Sequence, residues 1–420
     1  MRPSASPFEF WTSADRSARR ALVAASLGWM LDSFDVSLYA LVLPAVMAGL
    51  HIDPAIAGSL QSLTLVAAAI GGVAFGVIAD RRGRVRALTW SVAVYSIFTA
   101  ACGMASSASM LAIFRVGLGL GMGGEWASGA ALVSETWPDR HRAKALAFMQ
   151  SAWAIGFALA AVVNYVVQSV AGLPWRAVFF VGVLPAIVTF WIRRRVDEPA
   201  VWRTARQAAR TRGSVVRMQT SLTWRGVGGS RLPATVALAM LSSCTLFAYW
   251  GFNTWVPTYL SASPAQGGIG LSAAVMTTLL VANQVGTWCG YVGFGFVADA
   301  IGRRRAYVVY LLSAAVLVWA YTSVHAVWAL LALGPAASFF ATGHFSGFGT
   351  VTAELYPTEV RATAQALTYN VGRIASAYAP RLVGSVAETH GYPAALSITA
   401  AAFLLATMCW LVIPETRSTS

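Results

Sequence analysis

Gly76-Val77-Ile78-Ala79-Asp80-Arg81-Arg82-Gly83-Arg84-Val85-Arg86 decides the fold of this 420-residue chain, because the cassette occurs twice. The second copy, Gly295-Phe296-Val297-Ala298-Asp299-Ala300-Ile301-Gly302-Arg303-Arg304-Arg305, begins 219 residues later. Downstream of the first copy, Glu135-Thr136-Trp137-Pro138 leads to Arg142-Ala143. Its echo, Glu354-Leu355-Tyr356-Pro357 leading to Arg361-Ala362, stands at the same offset of 219. One offset shared by two separate motifs implies a duplicated half rather than two chance matches.

Composition says where such a repeat lives. Hydrophobic residues make up 57% of the chain and charged residues 11%, and the mean hydropathy is +0.63. A soluble domain carries about a quarter charged residues, so the chain is expected to be an integral membrane protein. Apolar stretches of the length that crosses a bilayer as helix fall near 21–47, 56–79, 87–107, 109–133, 144–169, 176–195, 234–260, 271–298, 306–323, 326–351, 363–387 and 393–413. The expected fold is all-α, with twelve transmembrane helices in two pseudo-symmetric six-helix bundles. Residues 1–20 form an N-terminal tail, 21–195 the first bundle, 196–233 a basic linker, 234–413 the second bundle and 414–420 a C-terminal tail. Within the linker, Arg203, Arg206, Arg210 and Arg217 recur at helical spacing, as in a helix resting on headgroups or a solvated tether.

The net charge of +14 is a statement about topology. With the N-terminus in the cytoplasm, 26 of the 30 Arg and Lys residues fall in the cytoplasmic tails and loops. The short outer loops carry almost none, so the positive-inside rule puts both termini in the cytoplasm. Anionic lipid headgroups are the partner this implies, and nucleic acid is excluded. Met1-Arg2-Pro3-Ser4 lacks a cleavage site, so the first span is expected to stay. Cys102, Cys244, Cys289 and Cys409 stand isolated inside spans, with no metal or cofactor spacing. An Arg count of 29 against the single Lys144 points to a bacterial inner membrane.

The loop cassette resembles the signature of the major facilitator superfamily, on whose pattern Gly76, Asp80, Arg81, Gly83, Arg84 and Arg86 all fall. The second copy, through Asp299, Gly302 and Arg303, departs at Ala300. These charges, with Glu135, Arg142, Glu354 and Arg361, can latch the cytoplasmic mouth of two rocking bundles or serve as topology anchors. Span 4 adds Arg115-Val116-Gly117-Leu118-Gly119-Leu120-Gly121-Met122-Gly123-Gly124-Glu125. Its glycines lie within an apolar helix and not at a strand-to-helix turn, so they serve close helix approach rather than phosphate binding. Ala154-Ile155-Gly156-Phe157-Ala158-Leu159-Ala160 lacks the exchanger signature of span 5, which favours symport over antiport.

Charges at membrane depth carry the functional reading. Asp32 and Asp35 lie on one face of span 1, near the bilayer centre. Two like charges one turn apart repel, and a proton on either relieves the repulsion. Arg115 is the cation within the first bundle's helix interiors, and an Asp35–Arg115 pair tuned by Asp32 is expected, either switching with protonation or static. Glu125 is a second proton site or a strut. Its repeat mate, His344, is a substrate contact or a packing residue. Arg373, with Tyr369 and Asn370 one turn before it, has no acidic residue in the interiors of spans 7–12 to neutralise it. A guanidinium fork matches a carboxylate with two hydrogen bonds, so Arg373 is expected to anchor a substrate anion or to pair with Glu125. Tyr249, Asn253, Asn283 and Gln284 complete the expected cavity, with Gln61, Gln150, Asn164 and Gln168 behind them. Pro257 is expected to bend span 7.

Gly28-Trp29-Met30-Leu31-Asp32-Ser33-Phe34-Asp35-Val36 is similar to the span 1 signature of the sialate/lactate proton symporters. Further similarity to that branch runs through Gly123-Gly124-Glu125-Trp126 and Trp175 to Pro185. Aromatic-acid proton symporters carry a related element with Gly where Ser33 stands. The resemblance implies a monomeric secondary transporter, not an enzyme, that takes up a small organic anion with protons by alternating access. A monocarboxylate such as lactate or pyruvate fits this reading best. An aromatic-acid or sugar-acid symporter and a proton-driven efflux antiporter remain open alternatives.

Overall fold

The computed structural model describes residues 11, 14–183, 196–198, 231–356 and 358–415. The linker arginines and the second half of span six lie outside them. In chain order the helices are α1 (Arg16–Leu50), α2 (Pro54–Arg82), α3 (Arg84–Cys102), α4 (Ala108–Thr136), α5 (Asp139–Tyr165) and α6 (Trp175–Val181). After the linker come α7 (Leu232–Ser261), α8 (Ala273–Ile301), α9 (Arg303–Ser323), α10 (Val327–Gly343), α11 (Phe345–Leu355), α12 (Thr358–Ser376) and α13 (Ala379–Met408).

Local sequence sets these ends. The Asp15 carboxylate accepts from the Ala18 N–H at 2.6 Å and Asp53 accepts from Ile56 at 2.6 Å, capping α1 and α2. Pro54 at the first turn of α2 removes an N–H that would have no partner there. The cassette turns are made by Gly83 and Gly302 at φ 117° and 94°, a region glycine enters freely. Pro257 lies inside α7, which runs through it as one helix.

Eight helical stretches among the described residues are long and apolar enough to cross a membrane. The longest, Leu367–Leu411, has 45 residues and is bent at Gly391. α4 and α8, with 29 residues each, reach about 43 Å at 1.5 Å per residue, beyond the ~30 Å hydrocarbon core. Ile70, Val73, Ile97, Ile113, Trp328 and Leu411 are exposed apolar side chains, as a lipid-facing surface requires.

The helices pack in two groups by one rule. In the first half α4 lies against α2 and α3, and α1 against α5; in the second half α10 lies against α8 and α9, and α7 against α12. The repeat extends to single contacts. A Cβ at Gly71 would fall 2.8 Å from the Leu120 carbonyl carbon, and one at Gly290 would fall 3.0 Å from that of Phe339. Both members of the second pair stand 219 residues beyond the first. Only glycine lets these backbones approach so closely. The halves meet through α2 on α13 and α5 on α8. At the end away from the cassette loops this contact is tight: a Cβ at Gly58 would lie 2.8 Å from the Pro380 carbonyl carbon, and one at Gly384 would lie 3.1 Å from that of Pro54.

Candidate functional site

The two cassettes build matched ion pairs. Arg84 donates from Nε to Glu135 at 3.1 Å and from a terminal nitrogen at 2.8 Å. Arg303 reaches Glu354 at 3.2 Å and Asp299 at 2.5 Å. A feature without a clear repeat signal joins them. The Glu198 carboxylate accepts from the backbone N–H groups of Arg84 at 2.7 Å and of Val85 and Arg86 at 3.2 Å, capping α3. Glu415 does the same for α9, accepting from Arg303 at 3.0 Å and Arg304 at 3.1 Å. The only signal in the sequence is that Asp197-Glu198-Pro199 and Pro414-Glu415-Thr416 close their halves alike. Arg81 and Arg86 are exposed and Gly76 and Arg142 half-buried, while the side chains of Asp80 and Arg361 lie outside the description.

Deeper in the first half, Asp32, Asp35 and Glu125 are each at most 1% exposed. Asp35 accepts a hydrogen bond from the Thr99 hydroxyl at 3.2 Å, and its other oxygen has no partner. Neither oxygen of Glu125 has a partner among the described residues. Glu125 reaches α1 one turn before Asp32, where a Cβ at Gly28 would meet its Oε1. An ionised group at the bilayer centre costs about 3 kcal/mol by insertion, so three carboxylates this close are an arrangement that takes up protons readily.

Two buried guanidinium groups sit in different surroundings. Arg115 donates from Nε to the Leu60 carbonyl at 3.2 Å and from a terminal nitrogen to Gln61 Oε1, and its guanidinium carbon lies 3.7 Å from the Tyr39 ring centroid. Two hydrogen bonds to a charged group contribute about 1.5–3 kcal/mol each, and a desolvated cation–π contact about 2. Together they offset the insertion cost, so Arg115 is held without a carboxylate. The expected Asp35–Arg115 pair is not formed here: Arg115 turns to Leu60, Gln61 and Tyr39, with its other terminal nitrogen unpartnered among the described residues, and Asp35 turns to Thr99.

Arg373 lacks this support. It is 5% exposed and makes no hydrogen bond or ion pair through its guanidinium among the described residues. Its guanidinium carbon is 6.0 Å from the Tyr369 ring, the outer limit of a cation–π contact. From α12 the side chain crosses to the first half, where a Cβ at Gly72 would lie 3.8 Å from its terminal nitrogen. The Gly123 carbonyl of α4, two residues before Glu125, lies 3.3 Å from the same point. The fold therefore brings the Arg373 guanidinium from the second half to the α2–α4 contact of the first, two residues along α4 from Glu125.

The remaining candidates separate. Tyr249 joins the halves: its hydroxyl accepts from the indole N–H of Trp153 on α5, and its ring packs edge-on against Trp250 at 5.3 Å and Phe345 at 5.8 Å. Trp153 in turn lies 4.6 Å from Trp29, centroid to centroid. Sequence reasoning missed this Trp29–Trp153–Tyr249 bridge, since aromatic residues in apolar spans carry no pairing signal. Asn253 donates to the Tyr249 carbonyl at 3.0 Å, one turn back on its own helix. Asn283 is buried against Gly334 of α10, within the second half, and Gln284 is buried beside it on α8. Tyr369 and Asn370 are half-buried on the Arg373 helix. His344 is buried at the junction of α10 and α11.

Comparison with known proteins meets this geometry. The sialic acid transporter NanX of Escherichia coli K12 is 30% identical over 92% of this chain and 91% of its own length. The cis,cis-muconate transport protein of Acinetobacter baylyi is 28% identical over 88% of this chain and 87% of its own. In fold, the inward open xylose transporter XylE of E. coli superposes with a TM-score of 0.77 at 18% identity, covering 96% of this chain and 98% of that one. The family model described as Major Facilitator Superfamily matches residues 25–268 and again 260–420. With its two helical halves, its repeated loop cassettes and a charged site where the halves meet, the chain belongs to the Major Facilitator Superfamily of multi-pass membrane transporters.

Proposed function

We propose that this chain is a proton-coupled symporter that takes up a small organic anion, a monocarboxylate such as lactate or pyruvate, by alternating access across the bacterial inner membrane. One observation carries the reading: Arg373 is a buried cation that reaches from the second half into the first, whose described interior holds Asp32, Asp35 and Glu125. The names of two relatives point the same way, since sialic acid and muconate are both organic acids.

In the proposed cycle Asp32 holds Arg373 while the site is empty. A proton taken up within the Asp32, Asp35 and Glu125 group neutralises that hold, and the substrate carboxylate takes the guanidinium instead. With both charges compensated, closing a low-dielectric site around them costs less. Arg115 acts as a strut that keeps α4 on α2 and α1. The end closed by Gly58 and Gly384 is the outer gate. The cassettes at Asp80–Arg84 and Asp299–Arg303, with Glu135, Arg142, Glu354 and Arg361, form the cytoplasmic latch. Both termini are cytoplasmic.

The test is uptake of labelled lactate, pyruvate, benzoate and sialate into proteoliposomes with an alkaline interior. Accumulation of one of them that collapses with a protonophore supports the reading. No uptake of any acid, with expulsion of lipophilic cations instead, moves the chain to efflux and removes the role given to Arg373.

A further inference from the structure

The second half contains a small cavity that the cycle above does not use. Leu241, Ser242 and Thr245 of α7, Tyr307 of α9, His344, Phe345 and Phe348 around the α10–α11 junction, and Tyr369 of α12 line it. Most of its polar groups are occupied. Thr245 donates to the Leu241 carbonyl at 2.8 Å, and the Tyr307 hydroxyl donates to the His344 carbonyl at 2.9 Å. His344 differs: it is 2% exposed and its Nε2 has no partner. Its Nδ1 faces the Phe340 carbonyl at 3.4 Å. With Nδ1 donating to that carbonyl, which can only accept, Nε2 is left as a lone pair on the ring that lines the cavity. Ser242 adds a buried hydroxyl that can donate or accept.

The cavity borders the anion site. Tyr369 forms one of its walls, and the same ring lies 6.0 Å from the Arg373 guanidinium carbon. A substrate carboxylate on Arg373 and a group inside the cavity would thus both adjoin the Tyr369 ring, separated by about its width. That separation exceeds the reach of a hydroxyl on the carbon next to a carboxylate, and it suits one placed a ring's width or a short chain away. An acceptor at Nε2 calls for an O–H donor, and Ser242 can donate to the same oxygen. The walls of phenylalanine, tyrosine and leucine exclude a second charge.

We infer that the His344–Ser242 cavity is a hydroxyl-recognition subsite, selecting organic acids that carry a hydroxyl group remote from the carboxylate held by Arg373. The inference rests on the organic-acid reading proposed above and narrows its substrate class away from lactate itself. A site built to bond a hydroxyl leaves buried polar groups unpaired when the hydroxyl is missing, so it discriminates strongly.

The experiment compares uptake of two matched pairs in proteoliposomes, 4-hydroxybenzoate against benzoate and 5-hydroxypentanoate against pentanoate. The wild-type chain is expected to prefer the hydroxylated member of at least one pair by about tenfold or more in kcat/KM. In His344→Phe, and in the milder Ser242→Ala, that ratio should fall toward one. Equal uptake within both pairs by the wild-type chain overturns the subsite while leaving organic-acid symport intact. So does a preference that survives both substitutions, which would identify the cavity as the seat of a structural water. Uptake of none of the four acids overturns the subsite together with the reading on which it rests.

Discussion

Arg84 meets Glu135 at 2.8 Å in the first half, and Arg303 meets Glu354 at 3.2 Å in the second, each pair beside a glycine turn and a carboxylate that caps the next helix. At membrane depth the same two halves part company. The first half places Asp32, Asp35 and Glu125 in its interior, whereas the described interior of the second holds Arg373, His344 and a wall of aromatic rings. The repeat mates Glu125 and His344 make the divergence concrete, being an acid with two unpartnered oxygens and an imidazole with one unpartnered nitrogen. Duplication accounts for what the halves share, namely helix packing and loop ends. Chemistry accounts for what they do not share: in the proposed cycle one half carries protons and the other holds an anion.

The largest effect should come from removing the anion side. Arg373→Ala is expected to lower kcat/KM for the transported acid by at least about 100-fold. Arg373→Lys, which keeps the charge but loses the fork, should weaken affinity about tenfold. Arg115→Lys should mainly lower thermal stability, because its partners are a carbonyl, an amide and a ring within the first half. If Arg115→Lys shifts affinity as far as Arg373→Lys does, the contrast between strut and anchor fails.

Next come the carboxylates. Asp35→Asn is expected to abolish proton-driven accumulation while sparing counterflow between equal pools of substrate. Asp32→Asn should do the same and also tighten anion binding about tenfold, since in the proposed cycle it removes the charge that competes with the substrate for Arg373. Accumulation that persists in both variants would place coupling elsewhere.

Smaller effects test the shared architecture. Gly71→Val and Gly290→Val should each destabilise the protein by about 2 kcal/mol through overpacking, read as matched losses of melting temperature in detergent. An innocuous result at one site alone would break the symmetry of the α2–α4 and α8–α10 contacts. Least of all, Arg84→Ala and Arg303→Ala should each cost about 0.5–1 kcal/mol, since their pairs are partly open to water.

How far the sequence could be read follows the same division. The 219-residue offset carried the fold, because a repeat that pairs Gly71–Leu120 with Gly290–Phe339 in space must also pair them along the chain. The site was legible as a set of depths: position along a span places Asp32, Asp35 and Arg373 near mid-membrane and Arg115 in the outer half of span 4. Their pairing was not legible, because depth gives no azimuth. Arg115 turns to Gln61 and Tyr39 rather than to Asp35, and Arg373 crosses to Gly72 because α2 seats beside α12 and α13. The His344 cavity was hidden for a related reason. Whether a buried histidine is satisfied depends on which carbonyl its other nitrogen faces, and Phe340 reaches it only through the local helix geometry.

The most direct test of the central claim is proton movement itself. In proteoliposomes with no initial pH gradient, adding the transported acid outside should draw protons inward along with it, making the outer medium more alkaline, and Asp35→Asn should abolish that signal. Anion entry without proton movement in the wild-type chain would contradict the account.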